Sequence, residues 1–211
     1  MEKLKFYNFF VLCVLFFLFI AAPAVGNGQG QQHQPLEVIR QSNQKVQDIL
    51  NIHKTVDEKT EAQLLTVIDE VTSFETISHR VIDRFCKKLT KAQCETFDRV
   101  FQQLLRVSSL KKMGRYRADK FDYMGEELDK NIAIVKTIAY YKEEKAQLDY
   151  YLELFDGKWK IVNYVVDDID TIRNYKKQFL RLFAKKSFDQ VMERLKKKIA
   201  NYQKENRNQG V

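Results

Sequence analysis

Along residues 36 to 110 apolar side chains return every three or four positions, the repeat of helices with one face turned to a core. Leu36, Ile39, Val46, Ile49 and Leu50 predict a first helix after Pro35. Thr55 with Glu58 three residues on reads as a capping box, in which each side chain bonds the other's backbone amide. It opens a helix with Leu64, Leu65, Ile68 and Val71 inward, and Ile77, Val81, Ile82 and Phe85 mark a shorter third one. A second capping box, Thr90 with Gln93, begins a fourth helix whose Phe97, Val100, Phe101, Leu104 and Leu105 form a broad stripe. Gly114 is its expected stop.

From about Ala118 the repeat shortens to two. Phe121 and Tyr123 suggest a first strand, followed by strands over 132–141, 146–155 and 159–166. On the third, Ala146, Leu148, Tyr150, Leu152 and Leu154 point one way, and Gln147, Asp149, Tyr151 and Glu153 the other. Asp156-Gly157 is the strongest hairpin signal, since a tight turn needs residues that accept positive φ. Lys142-Glu143-Glu144 is a second short connection, so an antiparallel meander is expected. The run from Trp159 to Val166 is apolar on both parities, which implies a sheet covered on both faces. The chain then turns at Asp167 and Asp168. Behind Asp170, a natural N-cap, Ile172, Tyr175, Phe179, Leu182 and Phe183 fall at helical spacings. Ser187 with Gln190 opens a last helix, with Phe188, Val191, Leu195 and Ile199 inward and a polar end from Gln203 that is expected to fray. The fold class is therefore α+β: N-terminal helices, a four-stranded curved antiparallel sheet and two C-terminal helices, the helices gathered on one face of the sheet.

A chain of 211 residues suits one domain with a sizeable core, expected over 36–203 and followed by a polar tail, 204–211. Residues 27–35, rich in Gly, Gln and Asn, read as a disordered lead-in. Residues 1–26 read as a signal peptide: Lys3 and Lys5, an uncharged apolar run from Phe9 to Ile20, then the small residues from Ala21 to Gly26. An uncleaved anchor is the alternative, but a span needs about 20 apolar residues and this run is shorter.

The net charge of +8 is unevenly placed. Thr171 to Val211 holds 12 basic and 3 acidic residues, so the basicity belongs to the last two helices. A solvated helix face explains this, and so does attraction to anionic headgroups or to an acidic partner. Nucleic acid is excluded as a partner for an exported chain. Cys86 and Cys94 stand eight residues apart between two predicted helices. A disulfide and a pair of buried free thiols both remain open.

Catalytic material is thin. There is no G-x-S-x-G, no Gly-rich phosphate loop and no H-E-x-x-H. Asp167, Asp168 and Asp170 lack the spacing of a calcium loop and are better read as turn and cap residues. No Cys-x-x-Cys pair or His cluster suggests zinc, and no metal or cofactor is expected.

Trp159-Lys160-Ile161, an acidic corner after a hydrophobic strand, then Asn174-Tyr175 and Gln178-Phe179, give the chain its one family likeness. In these residues it resembles the MlaC family of periplasmic phospholipid shuttles, also described as toluene-tolerance or ABC-transporter auxiliary proteins. Trp159, Ile169, Asn174, Tyr175, Gln178 and Phe179 match the family pattern directly. Asn163 stands where the family prefers Asp, Asp168 where it has Gly and Asp170 where it has Ser.

The resemblance implies a nuclear-transport-factor-like cone with a deep apolar cavity, and a cargo phospholipid with its acyl chains inside. It implies a soluble periplasmic carrier, not an enzyme, that maintains outer-membrane lipid asymmetry. Its partners would be an inner-membrane ABC transporter complex with a lipid-binding ring and an outer-membrane lipoprotein–porin complex. On this view Trp159, Ile161, Val165 and Ile169, of one parity, line the cavity with Leu148, Tyr150 and Leu152. Phe97, Phe101 and Leu104 form the wall opposite, and Lys196, Lys197 and Lys198 are a candidate docking surface. Two rivals stand beside it. One is an acid/base isomerase or dehydratase on the same scaffold, using a buried Asp149 or His79. The other is an exported helical adaptor whose aromatic residues simply fill a core.

Overall fold

The computed structural model describes residues 34–53, 56–115 and 118–208. The leader expected over 1–26 and most of the lead-in lie outside them, as does Thr55. Four helices come first, α1 (Pro35–Ile52), α2 (Glu58–Val71), α3 (Phe74–Cys86) and α4 (Lys91–Arg115). The strands follow: β1 (Lys120–Asp129), β2 (Ile132–Tyr141), β3 (Glu144–Phe155), β4 (Lys158–Val166) and β5 (Ile169–Asp170). Then come α5 (Thr171–Phe183) and α6 (Phe188–Asn208).

Local chemistry sets most boundaries. Pro35 is the first residue of α1, where its missing N–H costs no helical bond, so the helix takes in the last residue assigned to the lead-in. Asp57 caps α2 by accepting the Thr60 amide at 2.7 Å, which starts that helix at Glu58. Both other capping boxes form, Thr90 with Gln93 and Ser187 with Gln190. Asp170 accepts the Arg173 amide at 2.7 Å. The polar end expected to fray from Gln203 stays helical to Asn208.

The sheet runs β1-β2-β3-β4-β5 with every neighbour antiparallel. It has five strands, not four. Asp167 and Asp168 both take positive φ, 45° and 63°, and this two-residue turn folds Ile169 and Asp170 back onto Val166 and Val165. Two residues are too few for an alternating pattern to register in the sequence. Asp156 and Gly157, at φ 46° and 76°, make the expected β3–β4 turn.

A bulge in β4 alters which side chains share a face. Tyr151 pairs with Asn163 but Leu152 pairs with Ile161, so Val162 is an extra residue. Beyond it the parity inverts. Trp159 and Ile161 stay beside Leu154 and Leu152, but Tyr164 and Val166 lie beside Tyr150 and Leu148, while Val165 pairs with Asp149 on the other face. The bulge also explains why the run reads as two-faced, since Ile161, Val162 and Asn163 are buried in succession. The link from α2 to α3 shields the edge of β4: the Ser73 amide donates to the Ile161 carbonyl at 2.9 Å, beside a parallel bridge from Thr72 to Ile161.

Apolar burial falls into two clusters. The larger belongs to the helices and centres on Phe85, Phe97, Phe101, Tyr175, Phe179 and Phe183, whose ring centroids lie 5.0 to 6.4 Å apart. Many pairs meet edge to face, the arrangement the ring quadrupole favours. A disulfide joins Cys86 to Cys94 with Cα atoms 5.1 Å apart, tying the end of α3 to the start of α4 beside Phe85 and Phe97. The smaller cluster lies between α1 and the sheet and holds Ile39, Ala133, Val135, Tyr150, Leu152, Trp159 and Ile161. Tyr164 packs against both.

Candidate functional site

Five of the sequence-predicted lining residues meet on one face of the sheet. Leu148, Tyr150, Leu152, Trp159 and Ile161 are brought together by the register of β3 with β4, under α1. Val165 does not join them, because the bulge turns it to the face of Asp149. Tyr164 takes the place that parity had assigned to it. Ile169 pairs with Val166 but is 59% exposed at the short edge strand, so it borders the wall from outside.

The cluster on this face is apolar and phenolic, and the charged groups beside it are engaged: Glu126, paired with Val135 on the same face, accepts the Leu36 amide at 2.6 Å, and the Arg40 guanidinium lies 4.8 Å from the Tyr123 ring centre. Tyr150 donates to Asn43 Oδ1 at 3.2 Å, Asn43 Nδ2 donates to the Tyr123 hydroxyl at 3.3 Å, and the Tyr164 and Thr72 hydroxyls share a bond of 2.9 Å. Thr137 Oγ1 donates to the Leu148 carbonyl at 2.8 Å. Burial pushes the Tyr164 phenol up to about 12 and raises that of Tyr150 further, so both stay neutral at ordinary pH. The surface thus presents methyls, rings and spent hydrogen bonds, a lining suited to hydrocarbon and poor for any ion.

Phe97, Phe101 and Leu104 lie instead in the helical cluster, almost wholly buried, with Phe97 and Phe101 packed on Phe179. They belong to the helical cluster, which meets the sheet wall's cluster at Tyr164. Sequence periodicity placed them inside but could not tell which apolar cluster they would join.

The acid/base alternative finds no constellation. Asp149 is buried on the opposite face from Leu148 and Tyr150 and is bonded by Gln147 Nε2 at 3.2 Å. His79 is exposed on α3, 3.3 Å from Asp98. Among the described residues no group of three His, Cys, Asp or Glu side chains could hold a metal ion, and no helix is long and apolar enough to cross a membrane.

The basic helices contribute a separate feature. Between α4, α5 and α6 lies a cleft of about 320 Å³, floored by Leu104, Tyr175, Phe179, Leu182 and Leu195. Its rim holds Arg181, Arg194, Lys198 and Gln178. The three lysines expected to act together therefore divide: Lys196 and Lys197 are exposed, while Lys198 is half-buried at the cleft with its ammonium 5.4 Å from the Tyr202 ring centre. No sequence signal marked Arg181 and Arg194 as neighbours.

The family model described as MlaC protein matches residues 40–197, three quarters of the chain. The chain belongs to the MlaC family. A solved structure of the phospholipid-binding protein from Ralstonia solanacearum, in complex with a phospholipid, has the same fold. It superposes with a TM-score of 0.67 at 17% identity, covering 81% of this chain and 99% of that one. No curated protein sequence matches.

Membership in the MlaC family gives the corner after β4 a physical reading. The Asn163 amide donates to Asp170 Oδ2 at 3.1 Å while its own carbonyl accepts the Ile172 amide at 3.3 Å. Where the family pattern sets a carboxylate at 163 and a hydroxyl at 170, this chain carries an amide donor and a carboxylate acceptor. The amide and the carboxylate are complementary as donor and acceptor, and Asp167 and Asp168 both hold left-handed φ in the turn before them.

Proposed function

We propose that this protein is a periplasmic phospholipid carrier, a binding protein with no catalytic residue and no cofactor, whose cargo lays its acyl chains against the sheet wall. Leu148, Tyr150, Leu152, Trp159, Ile161 and Tyr164 are the proposed contact surface, with Phe97, Phe101 and Leu104 as its backing. The observation that carries this is the wall itself: a run of apolar and phenolic side chains on one sheet face, with every named hydroxyl and the neighbouring Glu126 carboxylate bonded internally. The phospholipid held by the Ralstonia solanacearum neighbour supports the same choice of ligand. Each buried methylene contributes about 0.8 kcal/mol, so two tails supply a gross driving force on the order of 20 kcal/mol, which leaves little need for headgroup contacts.

In this reading the protein is exported by its N-terminal segment and moves lipid between an outer-membrane lipoprotein–porin complex and an inner-membrane ABC transporter complex with a lipid-binding ring, maintaining outer-membrane asymmetry. Lys196 and Lys197, exposed on α6, are the proposed docking contacts. Native mass spectrometry of the full chain, purified after export in a bacterium with an outer membrane and then extracted with organic solvent, tests the carriage. Phospholipid at near one per chain is expected, and a chain that never yields lipid overturns the proposal. Lys196→Glu with Lys197→Glu is expected to weaken association with membranes or membrane complexes; unchanged association removes the docking role and leaves the carriage standing.

A further inference from the structure

The cleft between α4, α5 and α6 has a composition that the carriage of a two-tailed lipid does not use. Its floor is apolar and recessed, with Leu104, Phe179 and Leu195 buried beneath Tyr175 and Leu182. Its rim bears Arg181 from α5 and Arg194 and Lys198 from α6. No carboxylate lines it, and α5 contains none at all. None of the ion pairs among the described residues engages Arg181, Arg194 or Lys198. Arg181 and Arg194 are exposed residues lining a largely apolar cleft, and each guanidinium is able to grip an oxyanion through two parallel N–H bonds.

Size narrows the ligand. A volume of 320 Å³ sits at the lower end of the roughly 300 to 1,000 Å³ typical of small-molecule pockets, too little for two acyl tails. A flat membrane surface would meet the exposed cations first and leave the recessed floor unfilled. We propose that this cleft is a second binding site, distinct from the sheet wall, for a single-chain anionic amphiphile: one alkyl chain in the slot and one carboxylate or phosphate monoester held by Arg181 and Arg194, with Lys198 adding charge. The inference does not depend on the proposed carriage: Leu104, in the backing of the wall and in the floor of the cleft, is the one residue named for both, and none of the cleft's cations belongs to the wall.

Titration of the full chain with dodecyl phosphate and with dodecanoate, each below its micelle concentration, tests this by methyl NMR on labelled leucines. The methyls of Leu182 and Leu195 are expected to shift with saturation, and the tighter of the two ligands identifies the head group. Dodecanol and inorganic phosphate are each expected to bind at least tenfold more weakly. Arg181→Gln with Arg194→Gln is expected to weaken binding at least tenfold at an unchanged melting temperature, because both guanidiniums are exposed. Lys196→Glu with Lys197→Glu leaves it within a factor of two or three. Phospholipid copurifying with the Arg181→Gln, Arg194→Gln variant is expected to equal that of the parent, which separates this site from the wall. Leucine methyls that do not move, affinity indifferent to loss of the arginines, or inorganic phosphate binding as tightly as dodecyl phosphate would each overturn the proposal. So would binding only to anionic vesicles or to acidic peptides.

Discussion

The two apolar regions of this protein contain similar residue types and differ in what covers them. In the helical cluster Phe85, Phe97, Phe101, Phe179 and Phe183 fill one another's space, and a disulfide closes the helix pair that carries three of them. On the sheet wall the large side chains stand in a row along the strands: Tyr150, Leu152, Trp159 and Ile161 are buried, Tyr164 and Leu148 only half-buried, and the hydroxyls are tied back to Asn43 and Thr72. Rings that pack edge to face against rings leave no room for a guest. A strand face is a surface first, and becomes core only to the extent that something covers it. This contrast is why we propose the second region, and not the first, as the cargo surface.

The sharpest way to break that division is Phe179→Ala. It removes a fully buried ring that touches five aromatic neighbours, and a loss of about 3 to 5 kcal/mol is expected in urea unfolding. The folded fraction should still carry lipid at the parent ratio; a selective loss of lipid without loss of stability would reverse the assignment. Next, replacing both Cys86 and Cys94 by Ser should cost about 2 to 3 kcal/mol, because the bond restrains the unfolded chain. Lipid content is again expected to hold. On the other side of the comparison, Leu148→Trp overfills the wall at a half-buried position. It should cost about 1 to 3 kcal/mol and cut copurified lipid severalfold, as read by extraction and mass spectrometry.

A smaller effect is expected at the corner that orients β4 to α5. Asn163→Asp sets a carboxylate against that of Asp170 and should destabilise by about 1 to 3 kcal/mol at neutral pH, with Asp170→Ser restoring much of the loss in a double-mutant cycle. Smallest is the alkaline limb of stability. Tyr164 titrates near 12 in the fold against an ordinary 10.0, so between those values the unfolded chain releases a proton that the folded chain keeps. Stability is full below about pH 10 and falls as pH rises toward 12, and Tyr164→Phe should flatten that slope while losing about 1 kcal/mol for its bond to Thr72.

Whatever depends on a few neighbours along the chain was legible in the sequence: the helical stripes, two of the three capping boxes, the Asp170 cap, the Asp156-Gly157 turn and the alternation of β3. These are short-range interactions, and a window of four to ten residues contains all their partners. The MlaC likeness was legible too, in the run from Trp159 to Phe179. What tertiary structure alone decided is of another kind. One extra residue at Val162 exchanged Val165 for Tyr164 on the wall, because a strand of period two has no memory of which side it started from once a bulge intervenes. Arg181 and Arg194 became neighbours across a cleft only when α5 and α6 packed on α4. And Phe97 and Phe101 were inward by sequence, but what covers them was decided by Phe179, some 80 residues away, whose ring centre lies 5.0 Å from each of theirs. Periodicity reports that a side chain is buried; the identity of what covers it is set by contacts distant in the chain.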